Sequence, residues 1–532
     1  MNPRIRRHRF LRSSAALFLL FNLGACTDGR DQNMAPQPPT PPPVEPSKPQ
    51  ANNPTVLGPI SGGGGAECCI ITFAGLVIDL REQGYTPGTP FYAGVTFDEA
   101  ELGYLESEFF ISGTASSFSA TDQLQDDGRW TVEPAIGAEY TSRIVVQRPQ
   151  NDALFNGTVI VEWFNVTGGL DAAPDWTQIH TELMREGYAW VGVSAQSVGI
   201  EGGGAFDLPL KLIDSERYGQ LNHPGDSFSY DIFSQAAQAV RNPVGISPLG
   251  ELQVQRMIGV GQSQSASRLV TYVNAIHPTI DLFDGFLIHS RGNRSSSLSQ
   301  QPQADIPTPE PALLRDDLDE PVITLQAETD VLNLGSAAIR QDDSAKIRLW
   351  EVAGAAHSDV YTTIKGPIDR GDDPAVADVI SNSSARPPFI ECPLPVNDGP
   401  MHWLAKTAVS SLDSWIRDGQ AAPMAHRLML TEDGSAFLLD SHGNVMGGIR
   451  TPYVDAPVAV LSGLGNSIGF CGLFGTTMLF DDAKLAILYP SHQDYVNAID
   501  EAVDTAVAAG FLLPTDAALI KTAADNSDIG AP

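Results

Sequence analysis

The sequence predicts an α/β fold in which a mostly parallel central sheet carries helices on both faces. Almost wholly apolar runs of strand length at residues 157–166 and 188–196 enclose a stretch with helical spacing at 175–187. Strands that are apolar on both sides are typical of parallel sheets covered by two layers of helices. Further apolar runs follow in order as far as residue 354, so the sheet should contain several parallel strands.

Residues 1–25 are predicted to be a lipoprotein signal peptide. Five arginines precede an apolar run of about ten residues, which is too short to span a bilayer. The run ends in Leu-Gly-Ala-Cys, which resembles a bacterial lipobox and implies lipidation of Cys26. We therefore expect an exported bacterial lipoprotein held at a membrane by its lipid anchor, with an ordinary signal peptide as the alternative. Thr27, where Asp would favour inner-membrane retention, favours the outer membrane, facing the periplasm or the cell exterior.

The remaining chain divides by composition into three parts. Residues 26–65 are rich in proline and end in four glycines, which predicts a tether without chemistry of its own. Residues 66–366 are expected to form the α/β core. Residues 367–532 contain proline- and glycine-rich loops and one long helical pattern, and they are expected to be the C-terminal part of the same domain with cap-like or covering segments.

Charge and cysteine content limit the partners and the covalent links. The chain has 64 acidic and 32 basic residues and a net charge of -32, which disfavours nucleic acid as a partner. An exported protein can form disulfides, and Cys68, Cys69, Cys392 and Cys471 allow three pairings. A bond between the adjacent Cys68 and Cys69 is not expected, because it would be strained. The spacing of these cysteines does not suggest a zinc site.

The stretch GQSQS at residues 261–265 has the position expected of a nucleophile. It joins a buried strand pattern to a helical pattern, and Ser263 stands at its centre. In the usual motif, G-x-S-x-G, small flanking residues let the strand and the helix approach each other around a strained turn. Ser265 replaces the second glycine and is small enough for the same role. The alternative interpretation is a polar turn.

Candidate partners for Ser263 follow it in the chain. A serine nucleophile needs a histidine base and an acid that orients the histidine. Asp330 and His357 each follow a predicted strand, in the order serine, acid, histidine. Glu328, two residues before Asp330, is an alternative acid. His289 also ends a strand but precedes both acids, so we expect it to line the pocket instead.

A serine that attacks a carbonyl group converts the carbonyl oxygen into an oxyanion. Two backbone N–H donors are needed to stabilise this negative charge. One is expected from Gln264, the residue after the nucleophile. The second is expected from Asn165 or Val166, because they follow the strand at 157–164 and precede the flexible Thr-Gly-Gly. This chemistry needs no metal and no organic cofactor.

The chain resembles the α/β-hydrolase fold and, more narrowly, a family of exported bacterial alpha/beta hydrolase domain proteins. The resemblance rests on the segments FNGTVIVEWFNVTGG, GYAWVGVSAQSVGI, HPGDSFSYDIFSQA, GVGQSQSASRL, AGAAHSDVY and GGIRTPYVDAPVA. It implies a carboxylesterase-like serine hydrolase with Ser263 as the nucleophile, Asp330 as the acid and His357 as the base.

The sequence therefore predicts a membrane-tethered serine esterase that acts on a small-molecule ester through an acyl-enzyme. An amidase or peptidase would use the same three residues and remains an alternative. A binding lipoprotein on a hydrolase scaffold, without turnover, is a second one. The sequence indicates no oligomeric state.

Overall fold

The computed structural model describes residues 50–65, 68–73, 76–83, 85–386 and 390–531. The signal peptide predicted at residues 1–25, the lipidation site at Cys26 and the tether as far as residue 49 lie outside the described residues. Within the described ranges, every helix is too short or too polar to cross a membrane.

The central sheet has nine strands among the described residues. In chain order they are β1 (Thr55–Leu57), β2 (Tyr104–Ala120), β3 (Val132–Pro149), β4 (Thr158–Trp163), β5 (Ala189–Val193), β6 (Arg256–Gln262), β7 (Gly285–His289), β8 (Val322–Ala327) and β9 (Ile347–Val352). Their order across the sheet is β1-β2-β3-β5-β4-β6-β7-β8-β9. Strands β4 to β9 are parallel, whereas β1, β2 and β3 pair antiparallel. The predicted fold class is confirmed.

Seven helices of the described part have seven or more residues. They are α1 (Pro174–Arg185), α2 (Ser229–Arg241), α3 (Gln264–Thr271), α4 (Met401–Asp418), α5 (Asp482–Leu488), α6 (His492–Ala509) and α7 (Pro514–Asn526). A π-helical turn at Tyr272–Ile276 continues α3. Shorter α-helices lie at Ser197–Glu201, Leu210–Ile213, Ser215–Tyr218, Glu328–Leu332 and Pro452–Asp455.

Two hydrophobic cores cover the two faces of the sheet, because side chains alternate in direction along each strand. In β4, Val159 and Val161 pack in the core that includes α2 and α3. Ile160, between them, packs in the core that includes α1 and α4. Every residue of β4 is buried, as expected for a parallel strand between two layers of helices.

The folded region begins earlier than the sequence predicts. Thr55–Leu57 pairs with β2 at the edge of the sheet, and the Ile60 N–H donates to the Glu108 carbonyl at 2.7 Å. Arg217 donates to the Gly62 carbonyl and also pairs with the buried Glu108. The prediction of a free tether as far as residue 65 is therefore wrong, because these backbone groups bond to the domain.

The cysteine pairing also differs from the expectation. Cys392 and Cys471 form a disulfide that joins segments 79 residues apart. Cys68 and Cys69 form a disulfide with each other, contrary to the prediction that adjacent cysteines would not pair. In both pairs, the two cysteines are buried.

The residues after 367 are built into the same domain. Trp403, Leu404 and Leu412 of α4 are buried in the core beside α1. Ile449 forms a parallel bridge with Val352 at the end of β9, so this segment extends the edge of the sheet. A hairpin of Ala459–Ser462 and Thr476–Leu479 follows.

Candidate active site

Ser263 occupies a strained turn between β6 and α3. Its backbone angles are φ 63° and ψ -116°, a region that non-glycine residues rarely adopt. Its N–H donates to the His289 carbonyl of the neighbouring strand β7 at 2.9 Å. A Cβ on Gly261 would lie only 3.1 Å from the Cβ of Ser265, so strand and helix are in close contact here. The strained turn is the geometry that the GQSQS stretch predicts.

The structure brings Asp330 and His357 together beside Ser263. Nε2 of His357 lies 2.8 Å from Oγ of Ser263, and Nδ1 lies 2.6 Å from Oδ1 of Asp330. Oδ2 of Asp330 accepts the N–H of Ala327, the last residue of β8, at 2.6 Å. Asp330 is fully buried and His357 nearly so. The three side chains can therefore move a proton between Oγ and the imidazole.

Glu328, the alternative acid, has other partners. Its two carboxylate oxygens accept the N–H groups of Gly354 at 2.6 Å and Gly463 at 2.8 Å. Complete burial raises the pKa of this carboxyl to about 7. Glu328 thus binds the loop that carries His357 instead of binding the imidazole.

The backbone of His357 is fixed by two residues that sequence reasoning missed. Its N–H donates to Oγ1 of Thr329 at 3.1 Å, and the Thr329 hydroxyl donates to the Gly463 carbonyl at 2.6 Å. Its carbonyl accepts Nε2 of Gln262 at 2.9 Å. The signal for both residues is their position, because each is adjacent to a predicted site residue or its alternative.

Asn165 is not an oxyanion donor through its backbone. Its N–H donates to the Ala172 carbonyl at 2.8 Å, so that prediction is wrong. Its side chain instead fixes the loop: Nδ2 donates to the Gln262 carbonyl at 3.0 Å, and Oδ1 accepts the Thr167 N–H at 2.8 Å. Of the described residues, none accepts a hydrogen bond from the Val166 N–H, which remains a candidate donor.

Gln264 begins α3, where the first N–H groups have no partner within the helix. Its N–H is therefore available to an oxyanion beside Ser263. The partial positive charge of the helix N-terminus favours negative charge at the same place. Gln264 and Val166 are thus the two candidate donors that the geometry leaves.

His289 lies in a buried polar cluster. It is fully buried, and its Nδ1 lies 2.8 Å from Oδ1 of the buried Asp175 at the start of α1. Glu162 of β4 accepts the N–H groups of Asp175 and Trp176. Burial, together with the neighbouring Asp175, raises the pKa of Glu162 well above its usual value. Hydrogen bonds among His289, Asp175 and Glu162 thus hold the ends of β4 and β7 next to the strained turn at Ser263.

A cavity of about 470 Å³ borders the segment 464–473. Its lining includes Asn333, three residues after Asp330, and Leu473, whose carbonyl accepts the Ser358 N–H at 3.1 Å. Ser263, Asp330 and His357 are not among the residues that line this cavity, so we do not assign it to the substrate. In the part of the chain that the structure describes, no cluster of His, Cys, Asp or Glu could hold a metal ion.

A strained serine at a strand–helix junction, followed by an acid and a histidine at the ends of later parallel strands, defines the α/β-hydrolase class. The chain belongs to the family described as "Alpha/beta hydrolase domain", whose model matches residues 57–522. No curated protein matches the chain.

Two of the solved structures to which the chain is similar are a serine hydrolase and an esterase, both at low identity. An α/β serine hydrolase without a lid from Xanthomonas campestris has 13% identity and a TM-score of 0.24, over 44% of this chain and 83% of its own. A glucuronoyl esterase from Solibacter usitatus has 10% identity and a TM-score of 0.28, over 58% of this chain and 82% of its own. At this distance neither informs us about the substrate.

Proposed function

We propose that this protein is a serine hydrolase that cleaves carboxylic esters through an acyl-enzyme. The observation that carries the proposal is the continuous hydrogen-bonded series from Ser263 Oγ through His357 to Asp330. A serine hydroxyl is a weak nucleophile unless a base removes its proton as it attacks. His357 is within reach of that proton, and Asp330 holds the imidazole in the required orientation.

In the first half of the reaction, Oγ of Ser263 attacks the ester carbonyl carbon and its proton passes to Nε2 of His357. The carbonyl oxygen becomes an oxyanion, for which we assign the N–H groups of Gln264 and Val166 as donors. The carbon–oxygen bond to the alcohol then breaks, and His357 returns the proton to the leaving alkoxide. The products are a free alcohol and an acyl group on Ser263.

In the second half, water takes the place of the alcohol. His357 accepts a proton from water as its oxygen attacks the acyl carbon, and the resulting oxyanion occupies the same site. Collapse breaks the bond to Oγ, the proton returns from His357 to Ser263, and the carboxylic acid leaves. An ester is the proposed substrate because alcohols leave more readily than amines, although an amide would use the same groups.

A fluorophosphonate probe tests this proposal directly, because it reacts only with an activated serine. We expect the wild type to be labelled and Ser263→Ala to remain unlabelled. Ser265→Ala is the matched control: it removes a neighbouring hydroxyl that has no partner among the described residues, so labelling should persist. A folded wild type that resists the probe and cleaves no ester in a chromogenic panel would leave the binding-protein alternative.

The proposed location is a membrane surface, through a lipid on Cys26. The support is the sequence alone: a basic start, a short apolar run and a lipobox-like end. A single acyl chain holds a protein only weakly, whereas several chains give stable anchoring. Metabolic labelling with an alkyne fatty acid should mark the wild type and Ser263→Ala but not Cys26→Ala; equal labelling of all three would contradict the proposal.

A further inference from the structure

Two loops on opposite sides of the proposed nucleophile meet through a pair of aromatic rings. The rings of Phe206 and Phe470 are stacked, with centroids 6.0 Å apart and planes inclined by 27°. These two residues are 264 positions apart in the chain. Neither is within a predicted motif of the triad.

The Phe206 loop is hydrogen-bonded to the oxyanion loop, the segment that follows β4 and contains Val166. The Phe206 N–H donates to the Gly168 carbonyl at 3.1 Å, and the Leu208 N–H donates to the Gly169 carbonyl at 2.8 Å. Gly169 in turn donates to the carbonyl of Val166, the candidate oxyanion donor, at 2.9 Å. Phe206 therefore lies on a loop bonded directly to the loop that carries this donor.

The Phe470 segment is hydrogen-bonded to the loop that carries His357. Leu473, three residues further on, accepts the N–H of Ser358, which follows His357 directly. Cys471, next to Phe470, is bonded to Cys392. The Phe470 segment is thus covalently fixed beside the base.

The Phe206 loop contains no cysteine, so no disulfide fixes it as one fixes the Phe470 segment. It begins with Gly202 and Gly203, whose φ angles of 94° and 96° favour glycine. A Cβ on Gly203 would meet no atom within 4 Å, so the loop is open to solvent at this point. Separation of the rings therefore requires movement on the Phe206 side.

We propose that Phe206 and Phe470 form an aromatic gate over the entrance to Ser263 and select substrates by the width of the group that must pass. This inference rests on the proposed function of Ser263. Narrow unbranched acyl or alcohol groups pass with a small separation of the rings, whereas bulky branched or polycyclic groups require the open state. The gate is thus a determinant of specificity, distinct from the groups that perform the chemistry.

The test compares labelling rates of two fluorophosphonates, one with small ethyl groups and one with a bulky rhodamine. Phe470→Ala should raise the bulky-to-small rate ratio by about fivefold, the factor by which loss of an aromatic pair changes the open population. Phe206→Ala should raise the ratio similarly, while Phe470→Trp should lower it. Phe470→Leu keeps an apolar side chain at this position if the alanine variant unfolds.

Phe97→Ala is the matched control, since the Phe97 ring contacts His180 and Arg370 and neither gate loop. Its labelling ratio should equal that of the wild type. The gate is refuted if the ratio stays within about twofold of wild type in all folded variants of Phe206 and Phe470. Failure of the proposed function is a different result, because then the small probe would not label the wild type at all.

Discussion

The carboxyl groups of Glu328 and Asp330 lie on one helical turn but bind different parts of the site. Asp330 bonds to the His357 imidazole, whereas Glu328 bonds to the backbone of Gly354 and Gly463. One acid therefore orients the base and the other holds the loop from which the base projects. The difference between them leads to separate expectations for activity and for stability.

Replacement of each acid by its amide should affect turnover very differently. Asp330→Asn should lower kcat by about four orders of magnitude, because the amide favours the wrong imidazole tautomer. Glu328→Gln should keep kcat within about tenfold, since the amide oxygen can still accept one of the two backbone N–H groups. Steady-state kinetics with a chromogenic ester provides the measurement. The reverse order of effects would assign the acid to Glu328.

The free energy of unfolding should depend on pH through the carboxyl group of Glu328. Its folded pKa of about 7 exceeds the usual 4.5, so the folded state holds the proton more tightly than the unfolded chain. Stability from this group is complete below pH 4.5 and is lost as the pH rises to about 7. The loss totals about 3 kcal/mol, because one pKa unit corresponds to about 1.4 kcal/mol.

Urea unfolding of wild type and Glu328→Gln at pH 4.5, 5.5, 6.5 and 7.5 isolates this contribution. The difference in unfolding free energy between the two proteins should change across the series, with the wild type losing more as the pH rises. A constant difference would show that Glu328 has the same proton affinity in the folded and unfolded states.

The Asn165 side chain should matter for rate more than for stability. Asn165→Ala removes its bonds to Gln262 and Thr167, which hold the proposed oxyanion loop against β6. We expect kcat to fall by about tenfold to a hundredfold, somewhat less than the loss of an oxyanion donor itself. The measurement is kcat and KM with one chromogenic ester.

Asn156 at the start of β4 offers a matched control. Its Oδ1 accepts the N–H two residues later, and its Nδ2 donates to a distant carbonyl, as in Asn165. Asn156→Ala should cost a similar amount of stability with kcat nearly unchanged. If both variants lose activity equally, Asn165 is structural only.

A side chain at position 261 should destabilise the protein. Gly261→Ala would place its Cβ 3.1 Å from the Cβ of Ser265 and 3.0 Å from Cδ1 of Leu269. Overpacking of this kind costs about 1–3 kcal/mol. The double variant Gly261→Ala, Ser265→Gly should recover part of that loss in urea unfolding, and no recovery would place the conflict at Leu269 and at the backbone carbon of residue 265, which is also 3.1 Å away.

The sequence was most informative where a pattern repeats along the chain. Apolar runs and helical spacing located the strands from Thr158 onward, and the order of Ser263, Asp330 and His357 followed from the strands that precede them. The edge strand at Thr55–Leu57 was missed because three residues are too few to show an alternation. The hydrogen bond from the Asn165 N–H to the Ala172 carbonyl was not predicted, because a bond between backbone groups does not depend on the identity of the side chains.

The sequence also does not distinguish which of Asp330 and Glu328 binds His357. Both residues follow the same strand, and both have side chains long enough to reach the end of the sheet. Their partners depend on how the chain turns after Ala327, where the Asp330 carboxylate bonds back to the Ala327 N–H. That turn is a property of the folded backbone, which neither residue type determines by itself.

The close contact of Gly261 with the helix also limits which residues can replace glycine or serine on the two sides of the turn at Ser263. From a G-x-S-x-G ancestor, one substitution on the helix side reaches G-x-S-x-S without a clash. A substitution on the strand side is closed in either case, because a Cβ at position 261 would still lie 3.0 Å from Cδ1 of Leu269 and 3.1 Å from the backbone carbon of residue 265. The two positions are therefore unequal: the strand side has to keep glycine, whereas the helix side accepts either glycine or serine.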